Sequence, residues 1–212
     1  MLEKLPAAVG HLLHNQRAGL ENIAFNLIDL RNGKAQIEVK SLAFIDHAPI
    51  PALFTADGEG LSPPIYWDGV PSNATSLLVV VEDADSPTPH PLVHAIAFNL
   101  SPKETQLAEG ALASPEHEGG AVEAGRNSFL QAGWLPPDPP PGHGVHRYAF
   151  QVFALVDSID DEPTFTGTPG RDDVLEAIRD RAIASGCLIG TYEREDPTVR
   201  DKAEAPFGAV AG

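Results

Sequence analysis

Asp83, Asp85, His94, His146 and Tyr148 are the side chains of this sequence whose types, taken together, can do chemistry. Of its 8 histidines, His90, His94, His117, His143 and His146 crowd into the middle of the chain. A carboxylate bonded to one imidazole nitrogen fixes the ring's tautomer and favours its cationic form, which leaves the other nitrogen as a donor. A phenol such as Tyr148 adds a donor, and glycines such as Gly142 and Gly144 let a loop turn backbone N–H groups inward. Such a set suits a phosphate or a carboxylate.

Other chemistries fit less well. His90 and His94 stand four apart, but Pro89 and Pro91 flank His90 and forbid the helix that would pair them as metal ligands. His143 and His146 with Asp83 form a candidate zinc set whose spacing matches no dedicated motif. Ser128 lacks a G-x-S-x-G elbow and Cys187 has no neighbouring base in sequence, which leaves little for covalent catalysis. A P-loop and a G-x-G-x-x-G loop are both absent, and no cofactor is expected.

The positioning elements centre on Gly125–Leu155. Pro136, Pro137, Pro139, Pro140 and Pro141 exclude helix and central strand, so this stretch is expected to be a stiff, extended surface loop. It delivers His146, Arg147 and Tyr148 onto a strand in which Tyr148, Phe150, Val152 and Ala154 alternate with Ala149, Gln151 and Phe153. Upstream, strands are expected near Ile37–Phe44, at Ile65–Trp67, at Leu77–Val81 and at Val93–Leu100, the last placing His94 on a largely buried side. Residues 101–124 read as an irregular excursion with at most a turn of helix near Glu104. Helices are expected at Ala7–Ala18, with its apolar stripe against its own domain or a second subunit, and at Asp172–Ala184, with Gly186 as its stop. Leu188–Tyr192 reads as a final strand. Short strands separated by Pro/Gly loops, with helices only towards the ends, give an all-β sandwich with peripheral helices. The expected organisation is an N-terminal helical extension (1–32), the sandwich (33–195) and a frayed tail (196–212).

A formal net charge of −16 argues against nucleic-acid and anionic-membrane partners. No segment approaches the roughly 20 apolar residues of a membrane span, and the N-terminal apolar run is too interrupted for a signal peptide, so a cytoplasmic location is expected. Cys187, the only cysteine, reads as a small buried hydrophobe.

The blocks Val81–Pro87 (VEDADSP) with Val93-His94 and Asn99, then Gly125–Phe129, Gly133-Trp134 and Pro139–Tyr148 (PPPGHGVHRY), resemble the two signatures of the phosphatidylethanolamine-binding protein family, in its bacterial, Raf-kinase-inhibitor-like branch. Leu61–Trp67 and Leu188–Tyr192 extend the resemblance, which covers about residues 37–192. It implies a β-sandwich with a small anion pocket at one end, no established catalysis, and Asp83, Pro87, His94, Pro140, His146 and Tyr148 as pocket residues. The branch includes homodimers. Departures are Ala84 for a proline, Val93 where an aromatic or histidine is common, and Asp138 where the branch has cysteine. The added carboxylate is expected to weaken anion affinity. The leading reading is a non-enzymatic protein that grips a phosphate-, phosphoethanolamine- or carboxylate-like group, with His94 and His146 donating to it. A protein-interaction regulator of kinase- or protease-inhibitor type, and a weak hydrolase or zinc site, are the alternatives.

Overall fold

A computed structural model describes residues 6–28, 30, 35–112, 122–156, 165 and 167–194. The expected tail at 196–212 lies outside them. Four long strands carry the fold: β5 (Ser76–Asp83), β6 (Leu92–Leu100), β9 (His146–Leu155) and β10 (Ala182–Tyr192). They run antiparallel to their neighbours in the order β10-β9-β5-β6. At the margins of this sheet, β1 (Ala35–Gln36) and β3 (Ala48–Pro49) pair parallel with β10, and β8 (Glu123–Ala124) pairs with β6. A second, small sheet is built from β2 (Glu38–Lys40), β4 (Ile65–Asp68) and β7 (Gln106–Leu107).

The continuous apolar run of β5 is explained by burial on both faces. Val79 and Val81 pack with Phe150 and Val152 against Val39, Ile65 and Trp67 of the small sheet. Leu78 and Val80 face the other way, with Phe153, towards Val174 and Ile178 of α3 (Arg171–Arg181) and Ala24 of α2 (Ala24–Leu27). The expected mainly β sandwich with peripheral helices is therefore the observed architecture. Among the described residues no helix is long and apolar enough to cross a membrane.

Several local expectations are corrected. The N-terminal helix α1 covers only Ala7–Leu13; the chain then leaves the helix because His14, Arg17 and the Ala18 and Gly19 N–H groups bond to distant loops instead. Helix α3 stops at Arg181, and Ala182–Ala184 join β10, where pairing with Leu155 and Ala154 overrides the helical preference of the two alanines. Gly186 is thus no helix stop: a Cβ there would lie 2.0 Å from the Ile37 carbonyl oxygen, so the glycine admits a crossing chain. Near Glu104 there is a single turn closed by Ser101, and the 101–124 excursion holds β7 and β8, with 113–121 outside the described residues.

The proline-dense loop is not a surface loop. Pro137, Pro139, Pro140 and Pro141 are buried: the Pro137 carbonyl accepts from the Ala56 N–H, and α1 lies on the far end of the loop, where Gly10 approaches so closely that a Cβ would sit 2.0 Å from the Pro141 carbonyl oxygen. The N-terminal helix packs on its own domain through Ala7 and Gly10, while Leu12 of the expected apolar stripe stays exposed.

Candidate functional site

Strand register assembles the site. Asp83 at the end of β5 pairs with Tyr148 on β9, and His146 begins β9 two residues earlier on the same face. His146 Nδ1 lies 2.7 Å from Asp83 Oδ2, and Asp83 Oδ1 accepts from the Asp85 N–H at 2.8 Å. The His146 and Tyr148 rings stack with centroids 6.4 Å apart, and His94 of β6 stands edge-on to Tyr148 at 5.1 Å. Trp134 lies 6.1 Å from His94.

A cavity of about 900 Å³ opens onto this cluster, with Asp83, Pro87, Pro140 and His146 in its wall. That is within the usual range for small-molecule sites, about 300–1,000 Å³. The rest of the wall is largely apolar, including Leu92, Phe129, Leu130 and Leu175, with Arg126 as a cation. All six residues expected at the site thus fall in one neighbourhood, but two of them, His94 and Tyr148, stand behind the wall rather than in it.

Hydrogen bonding changes the roles expected of the imidazoles. His146 Nε2 lies 2.7 Å from His143 Nδ1, so both ring nitrogens of His146 are engaged by the protein itself and neither is free to donate to a guest. His94 Nδ1 donates to the Leu135 carbonyl at 2.6 Å, which leaves a lone pair on Nε2 of the neutral ring. Burial lowers the His94 pKa, against the raising influence of Asp83. A buried neutral His94 is an acceptor, not a donor. Tyr148 is fully buried and its hydroxyl has no hydrogen-bond partner among the described residues; burial pushes its pKa well above the ordinary phenol, so the proton stays. The buried Trp134 indole N–H is unpartnered as well.

The other acids are occupied. Asp85 faces away from the cavity into Arg147 and Arg17. Glu82, on the opposite face of β5 from Asp83, accepts from Arg171 of α3, Gln151 and the Ala24 N–H, a buried network that sequence reasoning missed. Its only signal was a charged residue at an inward position of a central strand. Asp138, expected to burden the pocket mouth, is bonded to Arg194, which also holds Asp57 at 2.8 Å. His143, weighed only as a zinc ligand, is fully buried, and its Nε2 lies 2.8 Å from the Leu13 carbonyl oxygen. His143, His146 and Asp83 bond to one another in a line instead of converging on a common point. Cys187, expected to be buried, is half-buried beside Ile23 and Ala149, and desolvation raises its thiol pKa to about 12.

Residues 40–193 match the sequence model of a family described as phosphatidylethanolamine-binding protein. The chain belongs to this family. Similar family-sized relatives include the UPF0098 protein of Methanothermobacter thermautotrophicus, 38% identical over 158 residues that cover 74% of this chain and 99% of that one. The UPF0098 protein of Aquifex aeolicus is 34% identical over 77% of this chain and 92% of its own. Among solved structures, the phosphatidylethanolamine-binding protein homologue CT736 of Chlamydia trachomatis superposes with a TM-score of 0.64 at 34% identity, covering 76% of this chain and 99% of that chain. Escherichia coli YbcL, described as a member of the mammalian family, gives 0.67 at 26% identity, covering 76% of this chain and all of its own. The bacterial branch suggested by the sequence blocks is thus the one its structural neighbours occupy. The family match begins after Leu13, His14 and Arg17, the N-terminal residues that bond to the loop before His146.

Proposed function

We propose that this is a binding protein that holds a small ligand by a phosphate- or carboxylate-like head against the Asp83–His146 pair, without turning it over. One observation carries the reading: a fully buried tyrosine hydroxyl, Tyr148, that has no partner among the described residues, next to the pair and to the His94 ring. Leaving such a group unsatisfied costs about 1–3 kcal/mol, a penalty that a head group entering past Pro87 and Pro140 would relieve. The donors nearest the pair are the Tyr148 hydroxyl and the Trp134 indole N–H, both beside His94 and both behind the cavity wall, so a head group must press through that wall to reach them; His94 joins them only if it gains a proton. The description of the family as phosphatidylethanolamine-binding makes phosphoethanolamine a natural probe. Calorimetric titration of phosphate and phosphoethanolamine tests the reading. Binding to the unaltered chain, and an affinity about tenfold lower in Tyr148→Phe, is expected for one hydrogen bond to a charged group. Absence of binding, or full affinity in the phenylalanine variant, would overturn it.

A further inference from the structure

The Leu13 carbonyl can only accept, so His143 Nε2, 2.8 Å away, carries its ring hydrogen. From there two further hydrogen bonds run inward, His143 Nδ1 to His146 Nε2 at 2.7 Å and His146 Nδ1 to Asp83 Oδ2 at 2.7 Å. Three hydrogen bonds need three hydrogens, and two neutral imidazoles bring only two. The third is an extra proton, and it cancels the carboxylate charge. Burial lowers the pKa of His143, which disfavours a second proton on that ring.

The count changes if the Leu13 carbonyl is withdrawn. His143 can then carry its hydrogen on Nδ1 and donate to His146 Nε2, and His146 serves Asp83 with its own single hydrogen. Both inner bonds survive with one proton fewer, and the chain of groups is left with a net negative charge. The N-terminal segment is built to control this. Gly10 seats on the Pro141 carbonyl, His14 Nδ1 lies 2.9 Å from the His143 carbonyl oxygen, and Arg17 donates to the His143 and Val145 carbonyls at 3.1 and 2.8 Å.

We propose that the N-terminal segment is a charge switch for the site. Docked on the Pro139–His146 loop, it keeps the Asp83–His146–His143 chain neutral and receptive to an anion; lifted, it leaves a negative charge that repels one. This rests on the anion-binding reading and adds a control element outside the matched family region. The other titratable or charged groups facing the chain are His14 and Arg17 from the N-terminal segment, Asp85 from the turn after β5, His94 from β6, and Arg147 and Tyr148 from β9. By reciprocity, a bound anion holds the segment down.

Sulfate is the probe, because it has no proton to exchange near neutral pH. Gly10→Val in the full chain places side-chain atoms where the Pro141 carbonyl now sits and lifts the helix. At neutral pH the unaltered chain should show the Nε2–H tautomer of His143 by ¹⁵N NMR. The variant should show the Nδ1–H tautomer, bind sulfate about tenfold more weakly, and take up more protons on binding, read from enthalpies in two buffers. Arg17→Ala, which loosens the same segment without crowding, should move all three readouts in the same direction by less, and decides the matter if Gly10→Val does not fold. A His143 tautomer and proton uptake unchanged in both variants would overturn the switch. Failure of the unaltered chain to bind sulfate would count against the anion reading itself, while the tautomer measurement would still decide whether the segment sets the protonation of the chain.

Discussion

Asp85 grips Arg147 with both oxygens: Oδ1 accepts from Nη2 and Oδ2 from Nε, each at 2.6 Å, and Oδ2 also accepts the Arg147 backbone N–H at 2.8 Å. Burial alone would raise the Asp85 pKa, but hydrogen bonds from Arg147 and Arg17 hold it below the usual carboxylate range. Because Arg147 sits between His146 and Tyr148, this fork fixes the start of β9 and with it both site residues. Asp85→Asn should cost about 3 kcal/mol, the low end for a broken buried pair because Arg147 is partly exposed. Urea denaturation measures the loss, and a change below about 0.5 kcal/mol would show that the fork is ornamental to stability.

Two buried imidazoles set the response to acid. His94 and His143 both have pKa values lowered from 6.5, in each case chiefly by burial. Below that value the unfolded chain takes up protons that the folded chain refuses, so stability is full above it and falls as pH drops through it. Each ring adds a slope of at most about 1.4 kcal/mol per pH unit until the folded ring protonates too. As these two rings take effect, the urea midpoint should decline from about pH 7 towards about pH 5. A flat midpoint across that window would mean that the rings are already charged or reach solvent.

How much of this was legible in the sequence depends on what set each feature. The two-face burial of β5 was legible in Leu77–Val81, because a short unbroken apolar run has few other uses. The meeting of Asp83 with His146 and Tyr148 was reached through the sequence blocks, and the strand register accounts for it physically. The length of β10 was hidden, since Ala182 and Ala184 are strong helix formers by themselves and take their strand state from Leu155 and Ala154 across the ladder. The partners of His146 were hidden more deeply. A tautomer is chosen by whichever carbonyl or carboxylate folds against the ring, and the Leu13 carbonyl arrives from 130 positions away with no side-chain signature.

Arg194 shields the site from Asp138. Its guanidinium bonds Asp138 and Asp57 together, and these hydrogen bonds outweigh burial to raise its pKa. Asp138 nevertheless acts on both His94 and Tyr148 through its charge. Arg194→Ala should therefore weaken anion binding about fivefold, roughly 1 kcal/mol, and adding Asp138→Asn should restore it. A double variant as weak as the single one would assign the loss to displaced backbone rather than to charge.

Tyr148→Phe separates the stability of the fold from the use of the site. The hydroxyl is buried with no partner, so its removal leaves no orphan behind and relieves a desolvation penalty. The ring's packing with Phe150 and Trp134 in the core is retained in phenylalanine. The variant should therefore be more stable than the unaltered chain by about 1 kcal/mol in the absence of added anion, while binding phosphate less well. Urea midpoints with and without phosphate read both effects in one experiment: the variant's midpoint starts higher and moves less on adding phosphate. A variant that starts lower would mean that the hydroxyl already has a partner in solution, such as a bound water, and would remove the argument that it is held in reserve for a ligand.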